Sequence, residues 1–464
     1  MSPPVSLGGC EPPTGRRGPL TTIPRRRQPL PCGPDPGPAR PLPSRWPDLA
    51  GIPCPAVWRS VALTGLGLWA APRLVGQALA AEAPDSSAII QGKVPGMIVH
   101  NAKLGVMETP LSLLRQHYIT PKEIMYQRMH FPVSGANKWV DTIEAPDFAH
   151  WEISVTGLVV RPGTVSLAEL RRMPQSKVTA VMQCAGNGRA YYAAKAKCPG
   201  GQWHHGGMAN VEWEGVNLRT VLDHMNLNIS RDALWLSANG KDVPPTAKGA
   251  DFVKSFRLAD PALDHAMLAL KMNGEPIPAI HGAPVRLVIP GYYGNMNVKS
   301  VEQLMLTAEQ SPSPFQSVAY RVPNKLVQPG EMRVSEFNTE NSEPTYSYRI
   351  MSVVFAPLTE DGPIKAGRTT VHGVAWNDGT APITEVEVSA DGGRHWQAAT
   401  VEKAPDPYAW HRWKTEVHLH SGDHVLMARA TDAKGRTQPL DGTELWNPKG
   451  YEWHGVDRVK VRAA

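Results

Sequence analysis

Near residue 345 the sequence changes texture, and the change limits the chain to two kinds of structure joined end to end. Beyond it come short strand-forming runs separated by turn signals: Thr370 to Trp376, Glu385 to Ser389, the turn Asp391-Gly392-Gly393, and His424 to Ala430. Strands at this regular spacing, with almost no helical pattern among them, predict an immunoglobulin-like all-β sandwich over 345–464. From 95 to 330, strand and helix patterns are mixed instead. Trp151 to Gly157 alternates as a strand does, Ser166 before Leu167-Ala168-Glu169-Leu170 predicts a capped helix start, and Val285 to Gly291 predicts another strand. This segment shows neither a regular βαβ repeat nor Gly-x-Gly-x-x-Gly, so it reads as α+β without a dinucleotide-binding half.

The front of the chain follows neither pattern. Residues 1–55 hold 16 prolines and clustered arginines, a composition that cannot bury a core. The apolar run Val61 to Ala71, followed by Ala78-Leu79-Ala80, has the form of a short signal-peptide core and a small-x-small cleavage site. Residues 1–80 are therefore read as a leader plus signal peptide, with a mature start near Ala81 and a periplasmic destination. The run is too short to span a bilayer. Twin-arginine export suits a protein folded around a cofactor, although only Arg59 directly precedes the run and Arg25-Arg26-Arg27 lie far upstream.

The formal net charge of +6 also comes from this front segment, where nine Arg face three acids, Glu11, Asp35 and Asp48. The body from 81 onward is neutral and offers no basic face to nucleic acid. Of five cysteines, Cys10, Cys32 and Cys54 lie in the segment expected to be removed. Cys184 and Cys198 make neither a disulfide framework nor a Cys-x-x-Cys-His haem attachment, so no haem is expected in this chain.

The chemistry concentrates at Val181-Met182-Gln183-Cys184-Ala185-Gly186-Asn187-Gly188-Arg189. Here a thiol ends an apolar run in a Gly-rich turn, and such a turn lets a bulky ligand approach the backbone closely. A lone cysteine is more often a small buried apolar residue. His130, Asp242, His281, Arg286 and Tyr320 also each have an ordinary reading as polar or core residues. Taken in order along the chain, however, they form a pattern.

Gln183-Cys184-Ala185-Gly186-Asn187 resembles the molybdenum-ligating turn of the sulfite oxidase family. The resemblance extends through Tyr126-Gln127-Arg128-Met129-His130, Trp203, Asp242, His281-Gly282-Ala283-Pro284-Val285-Arg286, Asn297-Val298-Lys299 and Tyr320, and ends at Trp446-Asn447-Pro448-Lys449-Gly450-Tyr451. It implies an α+β molybdopterin domain over 95–330 and a dimerisation sandwich over 345–464. Cys184 would ligate the metal. Tyr126, Gln127, Arg128, Met129, His130, Asp242, His281, Arg286, Asn297, Val298 and Lys299 would hold the molybdenum-molybdopterin cofactor. Arg128, Arg189, Trp203, Tyr320 and Arg412, the last brought in from the sandwich, would surround the substrate.

The physical chemistry agrees. A soft thiolate suits a high-valent metal cycling by two electrons. Arginine gives planar, permanently charged recognition of a small oxyanion such as sulfite. The implied reaction is oxidation of sulfite to sulfate, with electrons leaving to a separate c-type cytochrome and the protein assembled as a homodimer or with a cytochrome subunit. A sulfane dehydrogenase subunit is the alternative within the family. Reductases of methionine sulfoxide or nitrate are rivals, and a secreted β-sandwich binding module is the rival of another class.

Overall fold

The computed structural model describes residues 92–132 and 148–464. The leader, the signal peptide and three of the cysteines lie outside the described residues. Among the described residues no helix is long and apolar enough to cross a membrane.

The first part is built on two five-stranded sheets. One runs Gly163–Ser166, Glu152–Gly157, Val301–Thr307, Trp235–Gly240, Lys254–Arg257, with the 152–157 and 301–307 strands parallel and the others antiparallel. The other runs Glu275–Pro276, Met267–Met272, Met208–Asn217, Ser176–Gln183, and Arg286–Val288 also pairs with Met267–Met272. Strand alternation does what the sequence predicts: Ile153 and Val155 are buried while Glu152 faces out and Ser154 and Thr156 are half-buried. The helix Leu167–Arg172 starts in a full capping box. Glu169 N donates to Ser166 Oγ at 3.2 Å and Ser166 N donates to Glu169 Oε2 at 2.8 Å.

The strand expected over 285–291 is shorter, Arg286–Val288. Its continuation is diverted because Ile289 N donates to Asn297 Oδ1 at 2.7 Å, and Pro290 has no N–H to give to a ladder.

From Met351 onward two four-stranded antiparallel sheets face each other. One orders Met351–Ala356, Gly367–Trp376, His411–Leu419, Thr400–Val401; the other orders Gln397–Ala398, Ile383–Ser389, Gly422–Asp432, Asp457–Ala463. Their inner faces close over Val371, Val386, Trp413, Leu426 and Val461. A second apolar cluster joins this sandwich to the first part, packing Trp376, Trp410, Tyr451 and Trp453 with Tyr192 and Tyr320. The segment between the two parts is itself structured, since Arg321–Pro323 pairs with Ser342–Pro344.

Candidate active site

Cys184 follows the buried end of the strand Ser176–Gln183, where the sheet gives way to a tight turn. Its N–H donates to Gly207 O at 2.8 Å, its carbonyl accepts from Asn187 N at 3.0 Å, and Gly186 N points at its Sγ from 3.4 Å. Two glycines are required here. A Cβ on Gly186 would lie 2.5 Å from the Arg189 guanidinium, and Gly188 combines a φ of 81° with Trp453 ring atoms 2.4 Å from where its Cβ would be. Burial pushes the Cys184 thiol up, and the Gly186 N–H, Arg189 and Arg128 pull against it. A thiol poised this way becomes a thiolate when a cation arrives. Among the described residues no three His, Cys, Asp or Glu side chains gather as a metal site.

The thiol opens on a cleft whose walls carry Arg128, His130, His281, Arg286, Lys299 and, as the one acid among the described residues, Asp242. These cations crowd each other. Burial, then Arg286, drives Lys299 well below the usual lysine range; burial alone dominates in lowering Arg286 to about 10. His281 is held well below its ordinary value by burial and by Lys93, whose Nζ is 2.8 Å from its Nε2. Lys93 itself falls to about 7, mainly through burial. Asp242, buried, rises to about 6. Arg128 Nη1, Arg286 Nε and Asn295 Oδ1 are buried in these walls without a hydrogen-bond partner. Buried charges are normally paired, so such a surface is complementary to an anionic ligand rich in hydrogen-bonding groups. Gly294 keeps the floor open, since a Cβ there would lie 2.8 Å from the Tyr126 hydroxyl. The set fits an anionic pterin cofactor whose metal meets Cys184.

At the thiol end, Tyr320 Oη and His130 Nε2 are 2.5 Å apart, and Arg128 is within hydrogen-bonding reach of the same hydroxyl. Burial raises Tyr320 above the usual phenol range and lowers His130 well below the usual imidazole range, so the pair is neutral. Tyr320 adopts a φ of 58°, a conformation that a non-glycine residue holds only when its surroundings enforce it. Tyr451 of the sandwich stacks on its ring at 5.1 Å, and Arg189 lies over Tyr451 at 5.3 Å.

Of the residues read from the sequence, Tyr126, Arg128, Met129, His130, Cys184, Asp242, His281, Arg286, Asn297, Lys299 and Tyr320 line this one cleft. Four others stand behind it. Gln127 pairs through its backbone with Met107. Val298 is core, its carbonyl accepting from Leu287 N. Trp203 packs beneath Tyr126 and beside His100. Arg189 donates to Lys449 O at 2.9 Å and Gly201 O at 3.1 Å, close enough to Cys184 to act through its charge.

Arg412 is a correction. It sits on the exposed face of the strand His411–Leu419 with its guanidinium over Tyr118 at 4.9 Å, and it does not reach the cleft. The inward side chains of that strand are Trp413, Val417 and Leu419, so period-2 alternation sends Arg412 outward. The sandwich reaches the site through Lys449 and Tyr451 instead. Burial lowers Lys449 to about 8. Both lie in the Trp446 to Tyr451 motif, which is where a sequence signal for them existed. Lys93, by contrast, had none.

Residues 139–315 match the oxidoreductase molybdopterin binding domain and 342–463 the Mo-co oxidoreductase dimerisation domain. Sulfite oxidase of Gallus gallus is 31% identical over 391 residues, covering 80% of each chain. Nitrate reductase [NADH] 1 of Phaseolus vulgaris is 32% identical over 378 residues, 76% of this chain and 41% of its own. Among solved structures, the sulfane dehydrogenase SoxCD from Paracoccus pantotrophus superposes with a TM-score of 0.64 at 26% identity, over 86% of this chain and 94% of that one.

Proposed function

The chain belongs to the sulfite oxidase family of molybdopterin oxidoreductases, and from that premise we propose that it oxidises sulfite to sulfate and passes the electrons to a separate c-type cytochrome. It is a molybdenum-dependent oxidoreductase whose cofactor is molybdenum-molybdopterin. The observation that carries the substrate class is the unpartnered Arg128 Nη1 in the cleft that Tyr320 and Cys184 also line, where Asp242 is the one acid among the described residues. A small oxyanion of sulfur is what such a donor set accepts.

When bound, the molybdenum centre supplies a two-electron couple and an exchangeable oxygen. The residues of the chain do the rest. Cys184 would ligate the metal, while His281, Arg286, Lys299 and Asp242 would grip the pterin and its phosphate. Arg128 would hold the oxyanion, and the fixed charge of Arg189 favours an anion at the thiolate end. For Tyr320 to donate its O–H to the oxyanion, His130 carries its ring proton on Nε2 and donates to the phenol oxygen, an arrangement that both neutral side chains permit. The apolar stack of Tyr320 and Tyr451 restricts water at that edge.

We place the mature protein in the periplasm as a dimer through residues 342–463, a reading supported by the signal-like run at 61–80 and by the dimerisation-domain match. The extensive superposition on SoxCD favours a second reading, action on sulfane sulfur. Purified enzyme assayed for oxidation of sulfite and thiosulfate with cytochrome c or ferricyanide as acceptor, and for reduction of sulfoxides and nitrate with a reduced viologen as donor, separates these readings. Sulfite turnover supports the proposal, and reduction of nitrate or sulfoxide without sulfite turnover overturns it.

A further inference from the structure

The turn that carries Cys184 does not stand alone; it leans on the segment 203–207. Three backbone bonds join them: Cys184 N to Gly207 O at 2.8 Å, Gly188 N to His204 O at 2.6 Å, and Ala190 N to Trp203 O at 3.0 Å. Asn187 Oδ1 adds a fourth, accepting from Gly207 N at 2.9 Å. That segment is held in turn by Thr109 N, which donates to Gly206 O at 3.2 Å, by Asp457 Oδ1, 3.1 Å from His205 Nε2, and above all by one buried carboxylate that takes two of its backbone N–H groups. Glu108, 1% exposed, accepts from His204 N with both oxygens at 3.0 Å and from Gly206 N at 2.8 Å. His100 Nε2 lies 2.8 Å from its Oε2, and the His100 ring packs on Trp203 at 4.8 Å. Gly206 allows the close approach, because a Cβ there would lie 1.8 Å from Thr109 O.

The cleft itself does not include Glu108 or His100, and nothing in the substrate or cofactor chemistry above uses them. Yet a carboxylate is the one side chain that accepts from several convergent donors and offers none back. We propose that Glu108, clamped by His100, is a positioning residue for Cys184: it fixes the 203–207 segment and thereby the orientation of the thiolate at the molybdenum. The proposal rests on Cys184 being the metal ligand.

Glu108→Gln keeps the shape, and its one acceptor oxygen can replace Oε1 toward His204 N and Gly206 N, but an NH2 group then stands where Oε2 accepted from His204 N and met His100, so the clamp on the carboxylate is broken. Mutation of the residues that orient a metal ligand costs about 10- to 100-fold in metal affinity or activity, and Glu108 orients Cys184 through the 203–207 backbone. In molybdenum-loaded enzyme we expect kcat to fall by that factor, KM for sulfite to stay within about twofold, and the electron paramagnetic resonance signal of the half-reduced metal to change. A variant with wild-type signal and wild-type kcat, lowered only in melting temperature, overturns the proposal and leaves the metal assignment standing. Absence of molybdenum from the unmodified chain removes both. Should Glu108→Gln not fold, His100→Gln decides: an altered signal at full metal content supports the proposal, and an unaltered one overturns it.

Discussion

The sandwich and the cleft treat buried charge in opposite ways. In the sandwich, Arg436 donates to both oxygens of Asp378 at 2.7 and 2.8 Å and to Asp432 at 2.7 Å, so a cation and its counterions are complete within the fold. In the cleft, Arg128, Arg286 and Lys299 share one acid among the described residues, Asp242, and two guanidinium atoms have no partner. Pairing that the protein supplies to itself stabilises the protein. Cations left unpaired by the protein are stabilised only by what binds. Substitutions should therefore lower stability in one region and function in the other.

The largest effect expected is at Cys184. Cys184→Ser should abolish sulfite oxidation with almost no change in melting temperature, because a hydroxyl is a poor ligand where a soft thiolate is needed. Turnover near the wild-type rate would remove the metal assignment. Next come the arginines, which sharpen the comparison because they divide between its two sides. Arg128→Gln should lose about 1.5–3 kcal/mol of oxyanion binding, roughly 10- to 150-fold, with stability unchanged. Arg189→Gln should show a similar kinetic loss and a lowered melting temperature as well, since Arg189 is also tied to Lys449 and Gly201.

Arg436→Gln is the mirror test. It should leave sulfite kinetics alone and cost about 2 kcal/mol in denaturant midpoint, part of the gross interaction being lost to solvent because Arg436 is a third exposed. Burial alone would raise Asp378 and Asp432, and their hydrogen bonds to Arg436 hold both below the ordinary carboxylate range. Their contribution is thus present above the ordinary carboxylate pKa and lost as pH falls through the depressed one. The variant should accordingly unfold at a higher pH on acidification. Tyr320→Phe removes one hydroxyl and should slow turnover about fivefold, corresponding to about 1 kcal/mol, as steady-state kinetics would register.

The smallest effect is a pH trend in the cofactor-free chain. Lys93 is lowered to about 7 in the fold and is ordinary when unfolded, so between those values the unfolded chain binds more protons and stability rises with pH. Melting temperature should climb from about pH 7 toward the ordinary lysine value in the cofactor-free protein. It should climb less once an anion in the cleft holds Lys299, which lines it, protonated, and equal slopes in the two forms would break the comparison.

What the sequence made legible follows the reach of local rules. The strands of the sandwich, the Ser166 cap and the Cys184 turn are each written within a few consecutive residues, and each stands where it was expected. The cleft residues from Tyr126 to Tyr320 were legible only as an ordered set, because none is distinctive alone. Arg412 failed where a loose match overrode strand alternation. The Lys93 contact with His281 spans 188 positions, and the hold of Glu108 on Gly206 spans 98. Distances of that kind are set by tertiary packing and leave no local trace.

Arg189, in the turn that carries Cys184, is held by the carbonyl of Lys449, 260 positions further along the chain. Glu452 N likewise donates to Ala185 O at 2.9 Å, one residue past Cys184. A ribosome making this protein has therefore finished both sheets of the first part long before it makes the residues that close the pocket. The pocket has a birth order, in which its last wall is among the last things synthesised. Insertion of the cofactor into a finished site must then follow completion of the chain through Glu452, and a nascent chain stalled in the sandwich would present the thiol without its lock.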